Sequence, residues 1–207
     1  MEDSSRTLLA FSKELNKLKY VFRLSATRSK YKDSTAAHTW HLALMAYTFQ
    51  RELSLDIDLE KALKIALVHD LPEIVTGDID HRLVKDGKVS KEEKAAAEDT
   101  AMHEVISFLS ADMQKELYEL WQEYEKGNSP EARYIKALDK LESFSNSLER
   151  GPESFDYTDI IMTYADKAVQ NFPELKPYLA AVKQELKQQF AELGIPWKQE
   201  YNYPLDA

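Results

Sequence analysis

The chain has 207 residues, of which 43% are hydrophobic, so it is long enough and apolar enough to form a sizeable buried core. Its formal net charge of −9 argues against a general binder of nucleic-acid polymers or membrane surfaces, because such proteins usually present a basic face. The absence of cysteine excludes disulfides, thiolate ligands and a cysteine nucleophile. Any bound metal must therefore take histidine and carboxylate ligands.

No stretch approaches the roughly 20 apolar residues of a membrane span. The first fifteen residues are charged and amphipathic, which does not fit a secretory signal. These features predict a cytoplasmic protein with no membrane partner.

The first half of the chain shows helical periodicity. The first predicted helix has apolar residues three to four positions apart: Leu8, Phe11, Leu15, Leu18 and Phe22. A basic loop follows at 24–33, and Ser34 or Thr35 is expected to cap a second helix that runs to about residue 53. Asp58 is expected to cap a third helix over 58–70.

The second half continues in the same way after a short turn at 71–76 and a polar connection at 79–89. Ser90 and Glu93 have the spacing of a capping box. The remaining helices are predicted at about 91–109, 112–126, 130–150, 157–171 and 174–193. Because neither a repeat nor a long linker divides the chain, the sequence predicts an all-α fold in which residues 1–207 form a single domain.

Residues 66–78, ALVHDLPEIVTGD, place four ionisable side chains at the end of an apolar helix. Charged groups are rarely buried unless they are paired or bind a metal. His69 offers a nitrogen and Asp70 a hard oxygen, which suits Zn, Mn, Fe or Co better than Ca. Glu73 follows His69 by four residues, so on a continuing turn it would lie over the same face and act on a metal-bound water. The stretch predicts either half of a metal site or a solvated helix end.

His38 and Asp139 are the candidates for the remaining ligands, because each lies beside a strongly apolar run. His41 competes with His38, since it lies three residues on and on nearly the same helix face. The pattern does not separate the two. For Asp139, a salt bridge to Arg133 or Lys136 is an equal alternative.

The order His38, His69-Asp70, Asp139 resembles the H…HD…D signature of the HD-domain metal-dependent phosphohydrolases. An HD dipeptide is common by chance, so the surrounding motifs carry the match: LKxxxR at 18–23, HDLPEIVTGDI at 69–79 and KALDKLE at 136–142. They are similar to the branch that contains bacterial 5′-deoxynucleotidases and their eukaryotic relatives. The resemblance covers about residues 8–150 and implies a compact helical HD-domain bundle, followed by C-terminal helices at about 155–194.

The resemblance also implies a role for each matching residue. Four positions match the family's ligands for one divalent cation, with His38 rather than His41 among them: His38, His69, Asp70 and Asp139. Two match acidic groups beside the phosphate that orient water or act as general acid and base: Glu73 and Asp78. Arg23 matches an arginine that grips the phosphate.

The implied reaction is the release of phosphate from (deoxy)nucleoside 5′-monophosphates by a metal-activated water. The implied cofactor is one divalent transition-metal cation, namely Co, Mn, Zn, Fe or Ni, with Mg as a further candidate. The family's tendency implies a homodimer. Two alternatives stay open: an HD-fold hydrolase of another phosphate ester, and a helical module that binds a nucleotide without hydrolysing it.

Two stretches depart from the family pattern. Leu24-Ser25-Ala26 stands where relatives commonly carry a tryptophan that shapes the sugar pocket, which leaves the preference for deoxyribose over ribose open. His81 stands near a position where relatives often carry a proline; it is either an extra polar contact or a solvated loop residue.

Overall fold

A computed structural model describes residues 2–23, 33–79, 87–155 and 157–205. The departures at Leu24-Ser25-Ala26 and His81, and the basic residues of the 24–33 loop before Asp33, lie outside these ranges. Within them the regular elements are helical, and the sole β contact is an isolated antiparallel bridge between Phe22 and Ser34. The all-α prediction is confirmed.

The α-helices, numbered in chain order, are α1 (Glu2–Lys17), α2 (Thr35–Glu52), α3 (Leu59–Val68), α4 (Glu73–Thr76), α5 (Lys91–Ile106), α6 (Ala111–Lys126), α7 (Pro130–Arg150), α8 (Thr158–Thr163), α9 (Asp166–Gln170) and α10 (Lys176–Glu192). Among the described helices, none combines the length and the apolar character that crossing a bilayer requires.

Four helices, α2, α3, α5 and α7, begin at a side-chain cap. The side chains of Ser34, Asp58 and Ser129 each accept a hydrogen bond from the backbone N–H three residues further on. Ser90 and Glu93 form the predicted capping box, in which each side chain binds the other residue's backbone N–H. Such caps satisfy N–H groups that lack a partner within the helix.

Two helices differ from the prediction. The first ends at Lys17, and a 3-10 turn at Leu18–Tyr20 follows it. The helix predicted at 157–171 is split into α8 and α9. Met162, Ala165 and Val169 are buried on both sides of this break, so the apolar pattern continues across it and the periodicity gives no sign of it.

The core lies between α2, α3 and α7, and α9 and α10 cover the C-terminal half of α7. Its fully buried side chains include Leu42, Ile65, Leu138, Leu141 and Phe190. A smaller apolar cluster fixes the end of α3 against α5 and α6, through Val68, Leu71, Met102, Val105, Ile106 and Trp121. Together the two clusters hold the beginning of α2, the end of α3 and the middle of α7 next to one another.

Candidate metal centre

Three buried side chains from three helices converge between α2, α3 and α7. His38 comes from the second turn of α2, His69 from the residue that ends α3, and Asp139 from the middle of α7. One ligand atom from each lies within 4.8 Å of the others. The side chain of His38 is fully buried, and His69 and Asp139 are 4% and 3% exposed.

Each imidazole has one nitrogen engaged and the other without a partner. His38 Nδ1 lies 2.6 Å from Glu142 Oε2, and His69 Nδ1 lies 2.8 Å from the carbonyl oxygen of Ala66. Both partners are acceptors, so each Nδ1 carries the proton and donates it in the neutral ring. The two Nε2 atoms are buried without a hydrogen-bond partner. When both rings are neutral, the arrangement therefore presents two nitrogen lone pairs to one place.

Asp70 adds a further oxygen to this place. Its Oδ2 atom lies 3.1 Å from His69 Nε2 and 3.8 Å from His38 Nε2, and it too is buried without a hydrogen-bond partner. Burial alone would raise the pKa of Asp70, but His69, His38 and Arg23 together lower it to about 2. The carboxylate is therefore ionised at neutral pH and available as a ligand.

Asp139 divides its two oxygens between the centre and the surrounding protein. Oδ1 lies 3.2 Å from His38 Nε2, whereas Oδ2 accepts hydrogen bonds from Tyr124 Oη and Lys140 Nζ, each at 2.8 Å. Burial opposes ionisation, but the charge of Lys140 and the contact with His38 hold the pKa of Asp139 well below its usual range. The cation paired with Asp139 is Lys140, rather than the Arg133 or Lys136 considered from the sequence.

These residues fit a divalent cation. Two ligand atoms that each lie about 2.1 Å from one ion, at angles of roughly 90–110°, are about 3.0–3.4 Å apart. The separations of 3.1 Å between His69 and Asp70 and 3.2 Å between His38 and Asp139 match that spacing. Two imidazoles with two carboxylates form a donor set typical of borderline transition metals.

Glu73, in the first turn of α4, lies at the edge of the same cavity. Its Oε2 accepts a hydrogen bond of 2.8 Å from Thr35 Oγ1 at the start of α2. Burial, followed by the negative charges of Asp70 and Asp78, raises the pKa of Glu73 to about 8. A carboxyl group with such a pKa exchanges a proton near neutral pH, which is the property a general acid or base needs.

Gly77 returns the chain to the cavity after α4. Its φ of 68° and ψ of 173° place it in a region that is open essentially to glycine alone. Asp78 follows and lines the cavity beside Glu73. The short helix α4 and this turn together place Glu73 and Asp78, the two predicted acidic residues, in the lining of the cavity.

Arg23 also lines the cavity. Its Nη2 donates a hydrogen bond of 2.8 Å to Ser143 Oγ, and its Nη1 lies 3.5 Å from Asp70 Oδ2. The backbone N–H of Arg23 donates to the carbonyl of Asp33, which fixes it beside the start of α2. The guanidinium thereby supplies positive charge next to the acidic groups.

The cavity has a volume of about 210 Å³, and three lysines also line it, of which Lys136 was named in the sequence as a possible partner of Asp139. Lys140 is paired with Asp139, Lys94 lies 3.0 Å from Glu98, and Lys136 lies over the ring of Tyr124. The lining carries four cationic side chains, Arg23, Lys94, Lys136 and Lys140, among six acidic ones, so an anionic ligand would need the further positive charge of a bound cation.

The structure brings the seven predicted site residues together, and His41 lies outside the group. The His41 side chain is 42% exposed, and its Nδ1 contacts Glu142 Oε1 at 2.9 Å. The sequence did not indicate roles at the site for Glu142, Tyr124 or Lys140, and it suggested Thr35 only as a possible helix cap. The available signal for Glu142 was its position three residues after Asp139 on one helix, which puts the two on neighbouring faces.

Comparison with known proteins places these features in context. The family model described as "HD domain" matches residues 15–176. A zebrafish (Danio rerio) protein named 5'-deoxynucleotidase HDDC2 is 38% identical over 137 residues, which is 65% of each chain. The cattle (Bos taurus) protein of the same name is 36% identical over 147 residues, covering 70% of this chain and 68% of that one. The chain thus spans about two thirds of the length of these relatives, and just under two thirds of the zebrafish protein.

A solved structure shares the architecture. A protein described as a predicted metal-dependent phosphohydrolase from Magnetospirillum magnetotacticum MS-1 superposes with a TM-score of 0.75 at 25% identity. The match covers 91% of this chain and 95% of that one. The helical arrangement that brings the ligand atoms together is therefore shared over nearly the whole length of both proteins.

Proposed function

The chain belongs to the HD domain family, and from that premise we propose that it is a metal-dependent hydrolase that releases phosphate from nucleoside 5′-monophosphates. The observation that carries the proposal is the convergence of buried donor atoms from His38, His69, Asp70 and Asp139, beside a cavity that Arg23 also lines. The relatives named 5'-deoxynucleotidase support the substrate class.

His38, His69, Asp70 and Asp139 are the proposed ligands. The mixed nitrogen and oxygen donors favour Co, Mn, Zn, Fe or Ni, and Mg is the further candidate. When bound, such a cation lowers the pKa of a coordinated water from about 15.7 toward neutrality and offsets charge on phosphoryl oxygens.

Glu73 is the proposed acceptor and donor of protons. Its Oε2 is engaged by Thr35, which leaves Oε1 for the proton of an attacking water. Asp78 is proposed to assist from the same wall, where its charge helps to keep the pKa of Glu73 high. With that pKa, Glu73 can take a proton and pass it on within one turnover near neutral pH.

Arg23 is the proposed phosphate-binding residue. A guanidinium can donate two parallel hydrogen bonds to two phosphate oxygens. Ser143 already holds Nη2, so the side chain is oriented before the substrate arrives, which lowers the entropy cost of binding.

Three further proposals complete this interpretation: residues 1–207 form one domain, the protein is a homodimer, and it acts in the cytoplasm. The core that runs continuously from α2 to α10 supports the single domain.

Exposed apolar side chains on one face of α2 support a subunit contact: Trp40, Leu44 and Tyr47. Analytical ultracentrifugation of the protein and of Trp40→Glu tests the dimer, because the variant should sediment as a monomer.

The test of function is phosphate release from a panel of deoxy- and ribonucleoside 5′-monophosphates with Co²⁺ or Mn²⁺. Asp70→Ala should abolish metal-dependent turnover, whereas Glu73→Gln should retain metal but lose about 10²–10⁴-fold in rate. Asp56→Ala, at an exposed carboxylate, serves as the matched control.

Full turnover by Asp70→Ala would contradict the ligand set. If the protein binds a nucleotide and metal but releases no phosphate from any member of the panel, the non-catalytic module is the better description. Turnover of other phosphate esters in preference to monophosphates would favour the second alternative. The ratio of deoxy to ribo rates decides the sugar preference.

A further inference from the structure

Glu142 is a buried carboxylate at the centre that does not face the cation position. It is 2% exposed, on α7, one turn after Asp139. Its Oε2 contacts His38 Nδ1 at 2.6 Å, and its Oε1 contacts His41 Nδ1 at 2.9 Å and accepts a hydrogen bond of 3.2 Å from Asn146 Nδ2. Both oxygens are therefore satisfied by groups on the side away from the cavity.

This contact determines which nitrogen of His38 is available. An ionised carboxylate only accepts hydrogen bonds, so it holds the proton of the neutral ring on Nδ1 and leaves a lone pair on Nε2. Nε2 is the atom that lies 3.2 Å from Asp139 Oδ1 and 3.8 Å from Asp70 Oδ2. A group that could also donate to Nδ1 would permit the opposite tautomer, whose Nε2 carries a hydrogen and cannot bind a metal.

His41 contacts the same carboxylate from the solvent side. It lies one turn after His38 on α2, its side chain is 42% exposed, and it holds the Glu142 oxygen that His38 does not use. The two histidines, both on α2, thus contact the same carboxylate on α7. With both oxygens held, the carboxylate cannot rotate away from His38.

We propose that Glu142 is a positioning residue for the metal centre, which fixes the orientation and tautomer of His38, and that His41 secures Glu142 from the solvent side. The inference rests on the proposed metal site and adds two residues to it. It also gives His41, the competitor of His38 in the sequence, a separate task.

The test measures Co²⁺ binding directly, without substrate, by calorimetry and by the visible absorption of the bound ion. Glu142→Gln keeps the size of the side chain but offers an NH₂ donor, and we expect a 10–100-fold weaker Co²⁺ affinity and an altered spectrum. His41→Gln should show the same change to a smaller extent. Glu149→Gln, an exposed glutamate seven residues later on α7, is the matched control and should bind like the unmodified protein.

Thermal unfolding of the metal-free variants separates positioning from simple structural support. A purely structural role would lower the unfolding temperature of Glu142→Gln and leave the affinity and the spectrum of its folded fraction unchanged, which would overturn the inference. If the unmodified protein binds Co²⁺ and Glu142→Gln binds it equally well, the inference fails while the proposed function stands. If the unmodified protein binds no divalent cation, both fail.

Discussion

The hydroxyl of Thr35 donates a hydrogen bond of 2.8 Å to Glu73, and so connects the first residue of α2 to the first residue of α4. Thr35 is fully buried, so this hydrogen bond is shielded from water. It favours the ionised form of Glu73 and lowers a pKa that burial and the charges of Asp70 and Asp78 raise. The contact thereby sets both the position and the proton affinity of the proposed base.

Thr35→Val should therefore shift the pH dependence of the reaction. Without the hydroxyl the pKa of Glu73 rises further, so the acidic limb of the kcat/KM profile moves to higher pH. We expect a loss of about fivefold at neutral pH, equivalent to the roughly 1 kcal/mol of one hydrogen bond. Thr39→Val, at a buried threonine on the same helix whose Oγ1 has no hydrogen-bond partner, is the control. A profile that does not move would rule out Glu73 as the group that titrates.

Metal binding should release protons. Burial would lower the pKa of His38, but its interactions with Asp139 and Glu142 outweigh burial and raise it to about 9 in the metal-free protein. At pH 7 the ring is protonated, and it must lose the proton on Nε2 to bind a cation. Apparent Co²⁺ affinity should rise about tenfold per pH unit between roughly pH 7 and 9.

Calorimetry of Co²⁺ binding in buffers with different ionisation enthalpies measures this release. Glu73→Gln separates any proton lost by Glu73 from the one lost by His38. His103→Gln, at an exposed histidine on α5, should release as many protons as the unmodified protein. Heats that do not depend on the buffer would contradict the prediction.

The same pKa makes the stability of the metal-free protein dependent on pH. The pKa of folded His38, about 9, lies above the ordinary 6.5, so protonation favours the folded state. Its stabilising contribution is complete below pH 6.5 and is lost as the pH rises through about 9. The unfolding temperature in EDTA should fall over this interval, and it should fall less in His38→Gln. An equal decline in both proteins would assign the effect to other groups.

Arg23→Lys should weaken substrate binding more than metal binding. Lysine keeps the charge but loses the planar fork that holds two phosphate oxygens, and it also loses the geometry of the Nη2 contact with Ser143. We expect kcat/KM to fall about tenfold or more while Co²⁺ affinity is unchanged. Arg51→Lys, at an exposed arginine near the end of α2, is the control. Loss of metal from Arg23→Lys would instead indicate that Arg23 supports Asp70.

Tyr124→Phe should loosen Asp139. The phenol donates to Asp139 Oδ2 at 2.8 Å, and without it Lys140 alone holds that oxygen. We expect a few-fold weaker Co²⁺ affinity and a loss of about 1 kcal/mol in the free energy of unfolding. Tyr134→Phe removes a buried hydrogen bond of 2.8 Å to the carbonyl of Ala46, away from the centre. It should lower stability without changing metal affinity, and equal affinity losses in both variants would refute a local effect.

The features of this fold that the sequence predicts best are those that depend on residues close together in the sequence. Ser34, Asp58 and Ser90 cap the helices they were expected to cap, because a cap needs a partner only three positions away. The break between α8 and α9 was not predicted because the buried residues Met162, Ala165 and Val169 keep helical spacing across it. Periodicity reports which side chains are buried rather than whether the backbone stays continuous.

The choice between His38 and His41 shows what helical periodicity cannot predict about the site. The two lie one turn apart on α2, so periodicity gives them the same environment. What separates them is their position in the folded chain: His38 is fully buried with its Nε2 3.2 Å from Asp139 Oδ1, whereas the side chain of His41 is 42% exposed. The contacts of Thr35 with Glu73 and of Tyr124 with Asp139 were not predicted for the same reason, since these pairs become neighbours only after folding.

The bridge between Phe22 and Ser34 has a consequence for variation and design. It joins the residues that flank segment 24–32, with Arg23 at one end and the cap of α2 at the other. Both anchors are fixed by backbone hydrogen bonds, which do not depend on the side chains between them. Exchanging this segment for that of a relative should therefore leave Arg23 and the start of α2 in place.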